Sequence, residues 1–207
     1  MLETELVKAR NGVSRRLMVV LHGLGDSMEG FRWLPGALDL EWMNYLLVNA
    51  PDPYYGGYSW YDIYGDAQAG IERSRALLFE LLDGLPEQGF AIDHTWLFGF
   101  SQGCLMTLEA GSRYPSRFAG LVGISGYVQD LDDLIKGFSP LAREQRFLVT
   151  HGTEDSLLPL GPVRERIHGL QAAGLNIQWH EFKKAHTIAG EPEVAVIREF
   201  LLATSPA

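Results

Sequence analysis

The stretch Thr95–Met106, TWLFGFSQGCLM, joins an apolar run to a helix-like segment through a serine that is flanked by glycines. Gly99 lies two residues before Ser101 and Gly103 lies two residues after it. A serine at the tip of a sharp strand-to-helix turn has a strained backbone, and this turn requires residues without bulk at both positions. The pattern therefore predicts a Ser101 hydroxyl exposed above a sheet, with the N–H groups of the following helix directed toward it.

Other apolar runs, each followed by glycine, proline or a helix-like segment, also predict β-strands. Most of these runs are apolar on both faces, which is typical of a parallel sheet covered by helices on both sides. Between them, residues 66–85 repeat apolar positions at helical spacing, and so does the end of the chain. The sequence thus predicts an open, mostly parallel α/β sheet with helices on both faces, whose sites lie at the carboxyl ends of the strands. The further strands are Leu17–Gly23, Tyr45–Pro51, Gly120–Gly126, Phe147–Gly152 and Asn176–Phe182, and the helical stripes are Ala67, Ile71, Ser74, Leu78, Leu81 and Leu85, then Val194, Ile197 and Leu201.

Length and composition restrict the possible partners and location. The 207 residues suit one domain, 1–207, and the 46% of hydrophobic residues is typical of a globular protein. A net charge of -9 opposes a phosphate backbone, so nucleic acid is not an expected partner. Lys183 and Lys184 are expected on the solvated surface. Without a secretory signal, an apolar run long enough to span a bilayer, or a partner for Cys104, the sequence predicts a cytoplasmic protein with no stable membrane insertion.

A serine hydroxyl needs a base to take its proton, and His186 has the position that this base requires. Only His186 follows the last predicted strand in a loop before the final helix. His94, His168 and His180 lie before a strand, in a helix-like stretch and within a strand, and His151 ends a strand, so these four are interpreted as structural.

An acid must orient that base, and it should come from a loop between Ser101 and His186. Glu154 and Asp155 directly follow the strand that ends near His151, and the residues alone leave both open. The cluster Asp130, Asp132 and Asp133 is an alternative, although it is more typical of a helix start.

Two N–H donors should stabilise a developing oxyanion. The backbone N–H of Gln102, directly after the serine, is one candidate. The other should come from the glycine-rich loop in VVLHGLGD, residues Val19–Asp26, where the backbone can approach a substrate closely.

With LHGLGD, GFSQG, HGTED and AHTI in this order, the sequence resembles the carboxylesterase and acyl-protein thioesterase family, the phospholipase/carboxylesterase group of the α/β-hydrolases. The resemblance implies an α/β-hydrolase fold and a triad in which Asp155 is the acid. It further implies that Leu24 and Gln102 supply the oxyanion N–H groups. Two departures, Ala185 where the family usually has glycine and the apolar stretch SLLPL after Asp155, are expected to reshape the acyl pocket.

The substrate pocket is expected near the aromatic loop Pro51–Gly65, which follows a strand. Its aromatic residues either wall the pocket or pin the loop to the body of the protein. No cofactor or metal is expected, because the histidines lack zinc spacing and no lysine follows the glycine loop. The predicted substrate-binding residues are Tyr58, Trp60, Met28, Phe31, Leu157 and Leu158.

Together these features predict a serine hydrolase that cleaves small-molecule carboxylic esters through an acyl-enzyme on Ser101, Asp155 and His186. The alternatives are a lysophospholipase or acyl-protein thioesterase acting on long acyl chains, and a non-catalytic ligand-binding module of the same fold. The sequence leaves the oligomeric state open, with a homodimer among the options.

Overall fold

A seven-stranded sheet forms the centre of the computed structural model, which describes residues 1–204. The strands are β1 (Thr4–Val7), β2 (Arg16–Leu21), β3 (Met43–Val48), β4 (Asp52–Tyr54), β5 (Gly57–Ser59), β6 (Thr95–Phe100), β7 (Gly120–Ile124), β8 (Arg146–Gly152) and β9 (Asn176–Phe182), of which β4 and β5 form a separate hairpin. The strand order in the large sheet is β1-β3-β2-β6-β7-β8-β9, and every neighbouring pair is parallel except β1 with β3. The mostly parallel sheet confirms the predicted fold class.

Helices cover both faces of this sheet. The central strands are apolar throughout because both faces of the sheet are buried. In β2, Leu17 and Val19 pack into one core cluster, and Met18 packs into the other. The first cluster contains side chains of α2, α3, α4 and α5, and the second contains those of α1 and α6. The helices are α1 (Leu34–Leu38), α2 (Ala67–Asp83), α3 (Gln102–Arg113), α4 (Leu131–Lys136), α5 (Leu160–Ala172) and α6 (Glu191–Ala203).

The buried stripe of α2 differs from the predicted one at its end. Leu82 is fully buried, whereas Leu81, which was predicted in the stripe, is only half-buried. Leu82 follows Leu78 by four residues, and this spacing keeps both side chains on the face that packs against α3. Asp130 begins α4 as its N-cap and accepts a hydrogen bond from the N–H of Asp133, so the acidic cluster forms a helix start.

Strand β1 and the hairpin β4–β5 were not predicted. Residues of β1 alternate between exposed and half-buried, so this edge strand has no apolar run to mark it. The hairpin lies inside the aromatic loop, and each of its strands has only three residues. Among the described residues, no helix combines the length and apolarity needed to cross a membrane.

Candidate active site

Ser101 occupies the turn between β6 and α3 with a backbone conformation that residues other than glycine rarely adopt. Its φ of 55° and ψ of -115° are held while its N–H donates to the carbonyl of Ile124 at 2.9 Å. A Cβ at Gly99 would overlap the carbonyl of Gly103, and a Cβ at Gly103 would overlap the carbonyl of Leu21. The two glycines are therefore required by close backbone approach on either side of the turn.

The structure brings Ser101, His186 and Asp155 into one chain of hydrogen bonds. His186 Nε2 lies 2.9 Å from Ser101 Oγ, and His186 Nδ1 lies 2.7 Å from Asp155 Oδ2. Asp155 follows β8 and His186 follows β9, so all three residues lie at the carboxyl ends of parallel strands. This geometry suits proton transfer from the hydroxyl to an imidazole that a carboxylate orients.

Hydrogen bonds from its own loop keep the buried Asp155 carboxylate ionised. Burial alone would raise its pKa, but the N–H of Leu158 and the ring of His186 together hold the pKa below its ordinary value. Its second oxygen, Oδ1, accepts from the N–H groups of Leu157 and Leu158 at 3.0 and 2.9 Å. Glu154, the open alternative, is exposed and lies 3.8 Å from Lys183 instead.

His151 lies beneath this carboxylate. Its ring is buried, stacks on Trp179 and donates through Nε2 to the carbonyl of Leu158 at 2.8 Å. Burial lowers the pKa of His151, so the ring is neutral where an ordinary histidine would begin to take up a proton. His151 thus packs under the site, as its position at the end of a strand predicted.

A buried ion pair holds the loop that carries His186, which we call the histidine loop (residues 183–190). Lys184 Nζ lies 2.6 Å from Glu193 Oε1, and both side chains are at most 2% exposed. Glu193 also accepts from the hydroxyl of Thr150 at 2.5 Å and from the N–H of Ala189 at 2.6 Å. The prediction that Lys184 lies on the solvated surface is wrong, because Glu193 of α6 neutralises it inside the protein, whereas Lys183 is exposed.

His22 fixes the loop after β2, residues 22–27. Its Nδ1 lies 2.6 Å from the carbonyl oxygen of Gly23, and its Nε2 accepts from the N–H of Ala50 at 3.0 Å. These bonds require the neutral ring, and burial lowers the pKa of His22 accordingly. In a trans peptide the N–H points opposite to the C=O, so the N–H of Leu24 points away from His22, and Leu24 lines the same cavity as Ser101.

The Gln102 side chain binds the aromatic loop to the start of α3. Its Oε1 accepts from the N–H of Trp60 at 2.9 Å, and its Nε2 donates to the carbonyl of Tyr61 at 2.9 Å. Its backbone N–H lies at the start of α3, directly after Ser101. Gln102 therefore joins the serine turn to residues far away along the chain.

A cavity of about 590 Å³, the serine cavity, opens above Ser101. Tyr61 and Tyr127 line it, and their hydroxyls are hydrogen-bonded to each other at 2.8 Å. Leu157, 71% exposed, lies at its rim. Its lining includes Leu24, Ser101, Gln102, Tyr127, Leu157 and Leu158.

Several residues predicted to bind substrate lie outside this lining. Trp60 is fully buried and donates through Nε1 to the carbonyl of His22 at 2.9 Å, so it pins the aromatic loop. Tyr58 exchanges backbone hydrogen bonds with Gly25 and Asp26, and the N–H of Met28 donates to Asn49. The hairpin thus brings the backbone of Tyr58 and the indole of Trp60 against the loop after β2, whereas Met28 lies in the turn that follows this loop.

Sequence reasoning missed Tyr127, Lys184 and Glu193. Tyr127 follows the predicted strand that ends near Gly126, and its place at a strand's carboxyl end was the signal that could have identified it. For Lys184 and Glu193 no local signal exists, because their pairing depends on α6 packing against the sheet.

The chain is similar to a protein-family model, to curated sequences and to solved structures. A family model described as phospholipase/carboxylesterase matches residues 2–205. Acyl-protein thioesterase 1 of Schizosaccharomyces pombe is 35% identical over 155 residues, 69% of each chain, and its namesake from Yarrowia lipolytica is 27% identical over 203 residues, 89% of each chain. The crystal structure of esterase PE8 matches with a TM-score of 0.84 at 26% identity, covering 98% of this chain and 99% of that one.

Proposed function

Because the chain belongs to the phospholipase/carboxylesterase family, we propose that it hydrolyses small-molecule carboxylic esters with Ser101 as nucleophile, His186 as base and Asp155 as orienting acid. The observation that carries this proposal is the continuous hydrogen-bonded chain from Ser101 Oγ through His186 to Asp155. Three residue types with these roles meet at one sheet edge, although 85 residues separate Ser101 from His186.

In the acylation half-reaction, Ser101 Oγ attacks the ester carbonyl carbon while its proton passes to His186 Nε2. The negative charge that develops on the carbonyl oxygen is stabilised by the backbone N–H groups of Leu24 and Gln102. The buried Asp155 carboxylate stabilises the imidazolium, since it lies 2.7 Å from Nδ1. Collapse breaks the bond to the alcohol oxygen, which takes the proton from Nε2.

In the deacylation half-reaction, a water molecule replaces the alcohol. His186 takes a proton from the water, the resulting hydroxide attacks the acyl-serine, and Ser101 Oγ recovers its proton as the carboxylic acid leaves. The same two N–H groups serve both half-reactions, because the oxyanion forms at the same place each time.

Replacing the nucleophile tests this mechanism. Ser101→Ala should lower kcat by a factor on the order of 10⁶. Ser156→Ala is the matched control, because Ser156 is exposed in the loop beside Asp155 and its hydroxyl is not needed for the mechanism. A Ser101→Ala enzyme that keeps most of its turnover would exclude the proposed nucleophile.

Similarity to the acyl-protein thioesterases favours a second candidate, cleavage of long-chain acyl thioesters. The side chains of Ile63, Leu157 and Leu158 give the serine cavity apolar surface that an acyl chain can contact. A series of p-nitrophenyl esters from about two to sixteen carbons separates the candidates. A maximum at short chains supports the esterase, and a maximum at long chains supports the thioesterase.

The proposal includes a cytoplasmic location. Cys104, the single cysteine, is buried, and burial raises the pKa of its thiol to about 12. An unpaired, unreactive thiol suits a reducing compartment. Fractionation of cells that express the protein tests the location, and recovery outside the cytoplasm would refute it.

A further inference from the structure

A second cavity adjoins the serine cavity on the other side of His186. This cavity, which we call the alcohol groove, has a volume of about 460 Å³ and is lined by Phe31, Trp33, Phe100, His186, Ile188 and Val194, among others. Asp26, Phe100 and His186 line both cavities, and the ring centroids of Phe100 and His186 lie 5.1 Å apart. His186 and Phe100 therefore form a shared wall between the two spaces.

The direction of proton transfer assigns the two cavities to the two halves of an ester. His186 Nε2 must pass its proton to the alcohol oxygen as the C–O bond breaks, so the departing alcohol lies against His186. Leu24 and Gln102 line only the serine cavity, where they face the carbonyl oxygen and the acyl group. The alcohol groove borders the histidine loop through Thr187 and Ile188. Leu24 and Gln102, which supply the oxyanion N–H groups, are not part of its lining.

The walls of the groove define the chemistry of the alcohol. Phe31 is buried, its ring centroid lies 6.2 Å from that of Trp33, and Ile188 and Val194 add apolar surface. Trp33 is 43% exposed, which leaves part of its indole free to contact a bound ring. Asp26 supplies the one carboxylate among the described lining residues, so the groove disfavours an anionic group.

The position of Trp33 is fixed by its neighbours in the chain. Arg32 makes a two-pronged contact with Glu5 of β1, at 3.0 Å from Nε and 2.6 Å from Nη2. The carbonyl of Trp33 accepts from the N–H of Ala37 in the first turn of α1. Its exposed indole thus sits on an anchored segment, which lowers the entropic cost of binding.

We propose that the alcohol groove binds the leaving group of the ester, and that this leaving group is an alcohol with an aromatic ring that carries no negative charge. The proposal rests on the hydrolase function proposed above and names the substrate class for the same site. The serine cavity then holds the acyl group, and the two halves of the substrate lie on opposite sides of His186.

Acetate esters of different alcohols test the groove, because they share one acyl-enzyme and differ only in acylation. We compare benzyl acetate with ethyl acetate and measure kcat/KM for each. Trp33→Ala should lower the ratio of the benzyl to the ethyl value about tenfold. Leu157→Ala, at the rim of the serine cavity, is the matched control and should leave this ratio within about twofold.

A charged alcohol tests the role of Asp26. Asp26→Asn should raise kcat/KM for 4-carboxybenzyl acetate relative to benzyl acetate about threefold or more, since one repulsive charge is removed. An unchanged ratio in either the Trp33 or the Asp26 variant would overturn the assignment of the groove. Failure of the hydrolase proposal itself gives a different result, in which the wild-type protein hydrolyses no ester at all.

Discussion

Lys184 and Glu193 form a buried ion pair, 2.6 Å from Nζ to Oε1, and the histidine loop runs between them. Burial lowers the pKa of Lys184, and the attraction of Glu193 opposes this effect. Glu193 holds the loop at a second point by accepting from the N–H of Ala189, three residues after His186. Glu193 therefore anchors the histidine loop on both sides of His186.

Glu193→Gln should weaken the enzyme in two ways. Lys184 loses its buried partner, which should lower the free energy of unfolding by about 3 to 5 kcal/mol. Slight displacement of His186 should lower kcat about 10- to 100-fold with little change in KM. Chemical denaturation and steady-state kinetics, the latter well below the melting temperature, measure the two effects.

The double variant Lys184→Met/Glu193→Gln is the control for stability, since the amide can still bond to the N–H of Ala189 and the hydroxyl of Thr150. Removing both charges should recover most of the lost free energy of unfolding, because no unpaired charge remains buried. An unchanged kcat in the stable, folded Glu193→Gln protein would show that the ion pair does not position His186.

Asp155→Asn should lower kcat by about 10⁴, because an amide near Nδ1 no longer fixes the tautomer that accepts the proton from Ser101. Its remaining oxygen can still accept from Leu157 and Leu158, so the fold should persist. Glu154→Gln is the matched control in the same loop and should retain activity within about twofold, since Glu154 is exposed. The reverse ranking of the two variants would assign the acid to Glu154.

Gln102→Leu should lower the free energy of unfolding by about 1 to 3 kcal/mol for each hydrogen-bonding group it leaves unpaired. The group at risk is the buried N–H of Trp60, since the carbonyl of Tyr61 still accepts from the hydroxyl of Ser59 at 2.7 Å. Gln102→Glu keeps an oxygen that accepts from the N–H of Trp60. It should therefore retain the stability that this hydrogen bond contributes, which Gln102→Leu loses. Equal stability of Gln102→Leu and the wild type, measured in urea, would remove this role of the side chain.

Acidification should destabilise the protein through its buried histidines. Burial lowers the pKa values of His22 and His151, so below about pH 6.5 the unfolded chain binds protons that the folded protein does not. The free energy of unfolding should fall with pH by up to about 1.4 kcal/mol per pH unit for each histidine. Asp155, whose pKa is lowered, loses its contribution only at lower pH, below about 4.

Urea denaturation between pH 7.5 and 5 measures this slope. His151→Gln should make the dependence shallower, because an amide can donate to Leu158 without titrating. Ser156→Ala, at an exposed residue without an ionisable side chain, is the control and should leave the slope unchanged. A wild-type slope of zero over this range would contradict the account.

The parallel sheet and the relation of Ser101 to its glycines could be predicted from sequence because both depend on local patterns. Apolar runs determine parallel strands, and Gly99 is needed because the turn brings it against the carbonyl of Gly103, which itself approaches Leu21 of β2. His186 could be selected from its place after the last strand. Because the carboxyl ends of parallel strands lie at one edge of the sheet, this place brings it close to Ser101.

The remaining features depend on contacts between distant segments. Lys184 looks like a surface lysine until α6 places Glu193 beside it. Trp60 looks like a pocket residue, yet the hairpin turns its indole toward the carbonyl of His22. A local stretch of sequence does not show which distant group will bond to a buried polar atom. The burial of Lys184 and the direction of the Trp60 indole therefore became visible only in the folded structure.

Labelling with a fluorophosphonate, followed by mass spectrometry of the digested protein, measures whether Ser101 is an activated nucleophile. A nucleophile activated by His186 should be phosphonylated once per chain, on Ser101, and Asp155→Asn should slow the labelling sharply. An unlabelled wild-type protein, or an adduct on any other residue, would exclude Ser101 as the activated nucleophile.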